Sequence, residues 1–116
     1  MDETGAQAGP GWVPQACTLP TAQQPLRVAE FDDLFASAVR SVERTQRQQV
    51  RIELVPDAAV AAQAADLLVR ETECCSFFTF ALTATDGRLW LDVAVPDRHV
   101  EVLDALAGQA AAGAAS

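Results

Sequence analysis

The sequence predicts an α+β fold: a two-layer sandwich with helices packed on one face of a mostly antiparallel sheet of three or four strands. Helical and strand periodicities follow one another in the order helix, strand, helix, strand, strand, helix. Each predicted strand also has one apolar and one polar face, which is typical of a sheet covered by helices on one side. The 116 residues are enough for one domain with a single modest core.

Composition divides the chain into three segments. Residues 1–15 are rich in glycine, proline and small polar residues, and we expect them to be disordered. Residues 16–108 carry the periodic patterns and form the single α+β domain. They begin with an extended piece, Ala16 to Thr21, that would add an edge strand. Residues 109–116 are mostly alanine and glycine, and we expect this tail to fray.

The first half of the domain predicts a helix, a strand and a second helix. A helix is expected from about Pro25 to Ser41 because apolar residues recur there at helical spacing, namely Val28, Phe31, Leu34, Phe35, Ala38 and Val39. The polar stretch from Thr45 to Gln48 indicates a turn. Residues 49–55 alternate apolar and polar side chains, which predicts a half-buried strand. Asp57 is a good N-cap for a second helix that runs to about Glu73.

The second half predicts a hairpin and a short helix. Asp86-Gly87 is a strong signal for a two-residue turn between strands at about 77–84 and 89–95. In that register Leu82 faces Leu91, Phe80 faces Val93 and Phe78 faces Val95, all on the core face. Asp97 is predicted to cap a third helix that ends at Gly108.

Two adjacent thiols lie at the junction between the second helix and the hairpin. Cys74 and Cys75 follow the helical pattern directly, and the hairpin register brings His99 beside them. Cys17 joins this group if the N-terminal piece runs along that end of the sheet. The predicted metal ligands are therefore Cys17, Cys74, Cys75 and His99. Sulfur ligands favour soft ions such as zinc, copper, mercury or arsenic.

The state of the cysteines leaves alternatives open. An odd number of cysteines is not the pattern of a disulfide scaffold, so all three are expected to be thiols with chemical or buried structural roles. A vicinal Cys74–Cys75 disulfide would restrain almost no chain. Glu71 and Glu73, expected at a solvated helix end, and the helix C-terminus should raise the pKa of the thiols. Arg70, Arg98 and a protonated His99 are the candidates to offset this charge, and Arg70, Arg98 and Arg27 are the candidates to hold an arsenate ion.

Charge and hydropathy exclude other classes. The formal charge is −8 and all eight basic residues are arginine, so neither nucleic acid nor an anionic membrane is an expected partner. No apolar run approaches the roughly 20 residues that span a bilayer. The acidic N-terminus lacks the order of a secretion signal, so a cytoplasmic location is expected.

One set of motifs resembles a known group of proteins. It comprises Ala16-Cys17-Thr18-Leu19, the segment from Gln24 to Phe31, Glu71-x-x-Cys74-Cys75-Ser76-Phe77-Phe78-x-Phe80, and Val93-x-Val95-Pro96. Together they resemble small bacterial proteins with a Glu-x-x-Cys-Cys-x-Phe-Phe core, similar to segments that accompany regulators of the mercury-resistance (MerR) type. Some members carry the label arsenate reductase. The resemblance covers Cys17 to Leu106 and implies an association of Cys17, Cys74 and Cys75 with soft metals or metalloids.

Two functions follow as hypotheses. The first is a cytosolic thiol protein that binds or processes a soft metal or metalloid through Cys74 and Cys75. If it is an enzyme, it is a thiol-dependent oxidoreductase of the arsenate reductase type with these two cysteines as catalytic residues. Its partners would be a thiol reductant or a metal-responsive regulator. The second is a small non-catalytic interaction or regulatory domain with buried structural cysteines. A homodimer is compatible with either.

Overall fold

The structure is a computed structural model that describes residues 24–114, and for residues 24–28 and Cys74 it describes the backbone only. Its elements are α1 (Gln24–Ala38), β1 (Val39–Gln46), β2 (Gln49–Leu54), α2 (Ala58–Cys74), β3 (Thr79–Thr85), β4 (Arg88–Ala94), a 3-10 turn (Asp97–His99) and α3 (Val100–Ala114). The four strands form one antiparallel sheet in the order β1-β2-β4-β3. Three helices pack against it, so the predicted α+β fold is confirmed.

The core lies between the helices and the inner face of the sheet. Its strand residues form cross-strand pairs of buried side chains: Val50 with Val93, Ile52 with Leu91, and Leu54 with Leu89. The helices cover them with Phe31, Leu34, Phe35, Leu67, Leu103 and Leu106, all at most 2% exposed. The outer face is polar, with a two-pronged ion pair between Arg51 and Asp92 beside Trp90.

The sheet contains a strand, β1, that the sequence does not predict. The first helix ends at Ala38 rather than Ser41, and Val39 begins β1. Within β1, Val42 pairs with Ile52 and packs on the core, whereas its neighbours face out. The chain can therefore leave the helix because pairing with β2 satisfies the β1 backbone. The expected edge strand at Ala16 to Thr21, and the predicted disorder of residues 1–15, lie outside the described residues.

Local turn and cap chemistry is confirmed in the middle of the chain. The Asp57 carboxylate accepts a hydrogen bond of 2.7 Å from the Ala59 amide at the start of α2. Asp86 and Gly87 both have positive φ, 52° and 73°, as a two-residue hairpin turn requires. The resulting register pairs Leu82 with Leu91 and Phe80 with Val93, as predicted.

The third helix differs from its prediction at both ends. Asp97 does not cap it; this residue begins the 3-10 turn and forms an ion pair with Arg47. The helix also continues past Gly108 to Ala114, so residues 109–114 are helix rather than a frayed tail. Packing explains the extension, because Ala110 is fully buried and Gly113 lies against the backbone of Phe35. Within residues 24–114, no helix combines the length and apolar character needed to cross a bilayer.

Candidate thiol site

Cys75 occupies the turn that ends α2. Its amide donates a 2.7 Å hydrogen bond to the carbonyl of Glu71, and its own carbonyl accepts a 3.2 Å bond from the amide of Phe78. These bonds complete the last turn of the helix and start the approach to β3. The Cys75 side chain points into the protein and is only 1% exposed. Burial shields its sulfur from bulk solvent.

Cys75 is disulfide-bonded in this structure. The expectation of free thiols is therefore not met at this residue. The partner sulfur lies outside the described side chains, so the assignment of the pair rests on the chain having Cys17 and Cys74 as its only other cysteines. A disulfide requires a second sulfur within covalent reach of Cys75. The site is thus a place where two sulfurs converge.

Glu71 is the one buried charged residue among those the structure describes, at 1% exposure. This corrects the expectation of a solvated helix end, which holds only for the exposed Glu73. The reason is helical spacing: Glu71 follows the buried Leu67 and Leu68 by four and three residues, so it shares their inward face. The same spacing puts Cys75 four residues further along that face. A buried carboxyl group on the helix face that leads to Cys75 is a functional-site candidate because burying such a group is costly.

His99 lies beside the turn from Cys75 to Phe78, which we call the thiol turn, as the hairpin register predicts. Its imidazole stacks on the ring of Phe77, with centroids 4.0 Å apart and planes inclined by 21°. Phe77 in turn contacts Phe78 at 4.7 Å, and Phe78 stacks on Phe80 at 5.1 Å. The aromatic row therefore connects the start of α3 to β3 across the end of α2. Nothing in the composition signals this stack; only the hairpin register does.

Arg70, the arginine nearest in sequence to Cys74 and Cys75, forms ion pairs with residues outside the candidate site. The Arg70 guanidinium forms a two-pronged pair with Glu30 at 3.1 and 3.0 Å, and its Nη2 lies 2.8 Å from Asp66. The hydrogen bonds that the Arg70 guanidinium donates to Glu30 first, and to Asp66 second, raise the pKa of Arg70. Arg98 is exposed, and the side chain of Arg27 lies outside the described part. Arg70 therefore links α2 to α1, and its hydrogen-bond donors are used by Glu30 and Asp66.

Of the four predicted metal ligands, the structure describes the side chains of two, Cys75 and His99. The side chains of Cys17 and Cys74 are outside the described set. Among the described residues no three histidine, cysteine or acidic side chains are close enough to hold a metal ion. A complete ligand set therefore needs at least one of the other two cysteines.

Comparison of the chain with protein-family models, with curated proteins and with solved structures found no match.

Proposed function

We propose that this protein binds or processes a soft metal or metalloid, arsenic or mercury in particular, through Cys75 and a neighbouring cysteine. The observation that supports this most is the disulfide at Cys75. Reduction of that bond leaves two thiols within reach of each other. Two such thiols suit a thiophilic centre because sulfur is its preferred ligand.

The chemistry of binding fits a neutral or cationic ligand. Arsenous acid exchanges two hydroxyl groups for two cysteine sulfurs and releases two waters, and Hg(II) displaces two thiol protons. Neither reaction brings a negative ion to the site. This suits surroundings that contain the exposed Glu73 and the carbonyl end of α2.

Resemblance to proteins labelled arsenate reductase raises the question of redox chemistry. In that reaction arsenate takes two electrons from two thiols, which become a disulfide, and one arsenate oxygen leaves as water. Cys74 and Cys75 are the proposed catalytic residues, and a thiol reductant such as thioredoxin or glutaredoxin would return the electrons. We place binding ahead of turnover because Arg70 is paired with Glu30 and Asp66 and is not available to hold an oxyanion.

Native mass spectrometry of the full chain tests the proposal. The reduced protein is incubated with arsenite, Hg(II), Zn(II) or Cu(I), and the oxidised protein serves as the control. We expect one arsenic(III) or Hg(II) per reduced chain and none on the oxidised chain. Cys75→Ser should abolish binding, and Cys74→Ser tests the neighbouring thiol. Undiminished binding by Cys75→Ser would overturn the proposal.

The burial of Cys75 favours a second candidate function. A cysteine that is 1% exposed behaves as a small apolar residue, as it would in an interaction or regulatory domain with structural cysteines. Thiol titration of the reduced native protein separates the two candidates. If no thiol reacts and soft metals do not change the melting temperature, the protein is an interaction or regulatory domain with structural cysteines.

A further inference from the structure

The two edges of the sheet differ in how they are protected. The β1 edge carries Arg40, Glu43 and Arg44, and its pairing with β2 contains two register shifts. Charges and bulges of this kind keep an edge from pairing with another strand. The β3 edge, with the sequence Thr-Phe-Ala-Leu-Thr-Ala-Thr from Thr79 to Thr85, has neither charge nor proline, and its register with β4 is regular. Within residues 24–114, β3 pairs on one side only.

The hairpin determines which backbone groups of β3 remain open. Thr85 and Arg88 flank a two-residue turn, and such a flanking pair exchanges hydrogen bonds within the hairpin. Every second residue from Thr85 therefore bonds to β4. The alternate residues Phe80, Leu82 and Ala84 direct their amides and carbonyls away from the sheet. Their side chains lie on the inner face, where Phe80 and Leu82 are only half-buried.

An open groove of about 400 Å³ lies on the same inner face beside Ala84. Its walls come from the start of α2, including Ala58 and Ala61, and from the hairpin, including Leu89. The lining side chains at Ala61 and Ala84 are single methyl groups, which leave the space open. A large apolar side chain arriving across the β3 edge opposite Ala84 would meet the mouth of this groove.

We propose that β3 pairs antiparallel with β3 of a second copy of this chain, about a two-fold axis through Leu82. All the outward groups of Phe80, Leu82 and Ala84 then find partners in the same strand of the other copy. Phe80 of one protomer faces Ala84 of its partner, so a large side chain meets a small one beside the groove. Leu82 faces its own copy, and the outer face pairs only threonine and alanine.

The absence of charge makes the β3 edge suitable for contact with a second copy of this chain. Two chains with a formal charge of −8 repel each other, and an uncharged contact adds no further repulsion between like charges. Residues 79–85 contribute no charge. A two-fold contact also needs a surface that is complementary to itself. Strand β3 meets this condition because, in an antiparallel pair centred on Leu82, each of its residues lies opposite an uncharged residue of the other copy.

Sedimentation equilibrium of the reduced full chain tests the proposal, since reduction removes disulfide-linked species. We expect the mass to rise with concentration from 12.3 kDa towards twice that value. Ala84→Lys places a charge against the partner's Phe80 and should weaken the dimer by at least about tenfold. Gln46→Lys adds the same charge to the exposed β1 edge and should leave the dimer unchanged.

Amide hydrogen exchange of the wild type supplies a second readout that needs no variant. The Leu82 amide should exchange slowly in the dimer and fast at dilutions where the chain is monomeric. A wild type that stays monomeric at millimolar concentration overturns the proposal, as does a dimer that resists Ala84→Lys. Protection of the Leu82 amide in the monomer also overturns it, because residues 1–23 of the same chain would then be the occupant of the edge.

Discussion

The imidazole of His99 stacks on the ring of Phe77 with their centroids 4.0 Å apart. This contact joins the start of α3 to the turn that follows α2, two residues beyond Cys75. Stacking uses the faces of the two rings and leaves both imidazole nitrogens at the ring edge. His99 can therefore serve both as a packing residue and as a ligand, and the two roles are separable by substitution.

His99→Ala should lower the free energy of unfolding by about 1 kcal/mol because it removes the aromatic pair. His99→Phe keeps a stacked ring and should retain most of that stability in urea titrations. Zn(II) accepts imidazole as readily as thiolate, so His99→Phe should weaken zinc binding. Arsenic(III), held by sulfur alone, should bind His99→Phe as it binds the wild type. Equal zinc affinity in the variant would remove His99 from the ligand set.

The two glycines described within α3 should respond oppositely to alanine. A Cβ on Gly113 would lie 2.7 Å from the carbonyl carbon of Phe35, so Gly113→Ala must push α3 from α1 and should cost about 1–3 kcal/mol. A Cβ on Gly108 meets nothing within 4 Å, and Gly108→Ala should stabilise the helix by up to about 1 kcal/mol. Thermal unfolding compares them. A neutral Gly113→Ala would contradict the packing of the C-terminal half of α3.

Burial ranks two residues of the hairpin that are neighbours on the inner face. Leu91 is 1% exposed at the centre of the sheet, and Leu91→Ala should cost about 2–5 kcal/mol. Phe80 pairs with Val93 as predicted but is half-buried on the edge strand, so Phe80→Ala should cost less, about 1–3 kcal/mol. Urea unfolding at low protein concentration keeps association out of the comparison. A larger loss of stability for Phe80→Ala than for Leu91→Ala would mean that Phe80 lies in the core.

The hairpin and α2 could be predicted because local and non-local signals agree there. Asp86-Gly87 specifies the turn, and the alternation on both strands specifies the same register. Strand β1 was missed because Val39 and Val42 continue the helical spacing of Phe35 and Ala38. Its strand conformation depends on pairing with β2, which no local pattern reveals.

The site was predictable only to the extent that register and helical spacing determine it. The hairpin register located His99 beside the thiol turn, and the spacing from Leu67 to Glu71 could have revealed the buried carboxylate. The end of α3 and the disulfide at Cys75 could not be predicted in this way. The end of α3 depends on α1, a distant segment that packs against Gly113, and the disulfide depends on which second sulfur lies within reach of Cys75.

The role of Arg70 leads to a prediction about arsenic chemistry. Arg70 joins α1 to α2 through Glu30 and Asp66 at a partly exposed position, so Arg70→Ala should cost about 1 kcal/mol, and less at high salt. Because the guanidinium is paired with Glu30 and Asp66, and because arsenic(III) is held by sulfur, Arg70→Ala should leave the affinity for arsenic(III) unchanged. Titration of the reduced protein with arsenite measures that affinity.

Arsenate should be a poor substrate for the same protein. It is anionic near neutral pH, and reduction needs cations that hold its oxygens while a thiolate attacks. The exposed Glu73 and the C-terminal end of α2 oppose both requirements, and Arg70, which is paired with Glu30 and Asp66, does not compensate for them. We therefore expect tight binding of arsenic(III) or Hg(II) without sustained arsenate reduction when thioredoxin or glutaredoxin supplies electrons. Steady consumption of NADPH in the presence of arsenate, lost in Cys75→Ser, would contradict this expectation. It would establish that the protein is an arsenate reductase.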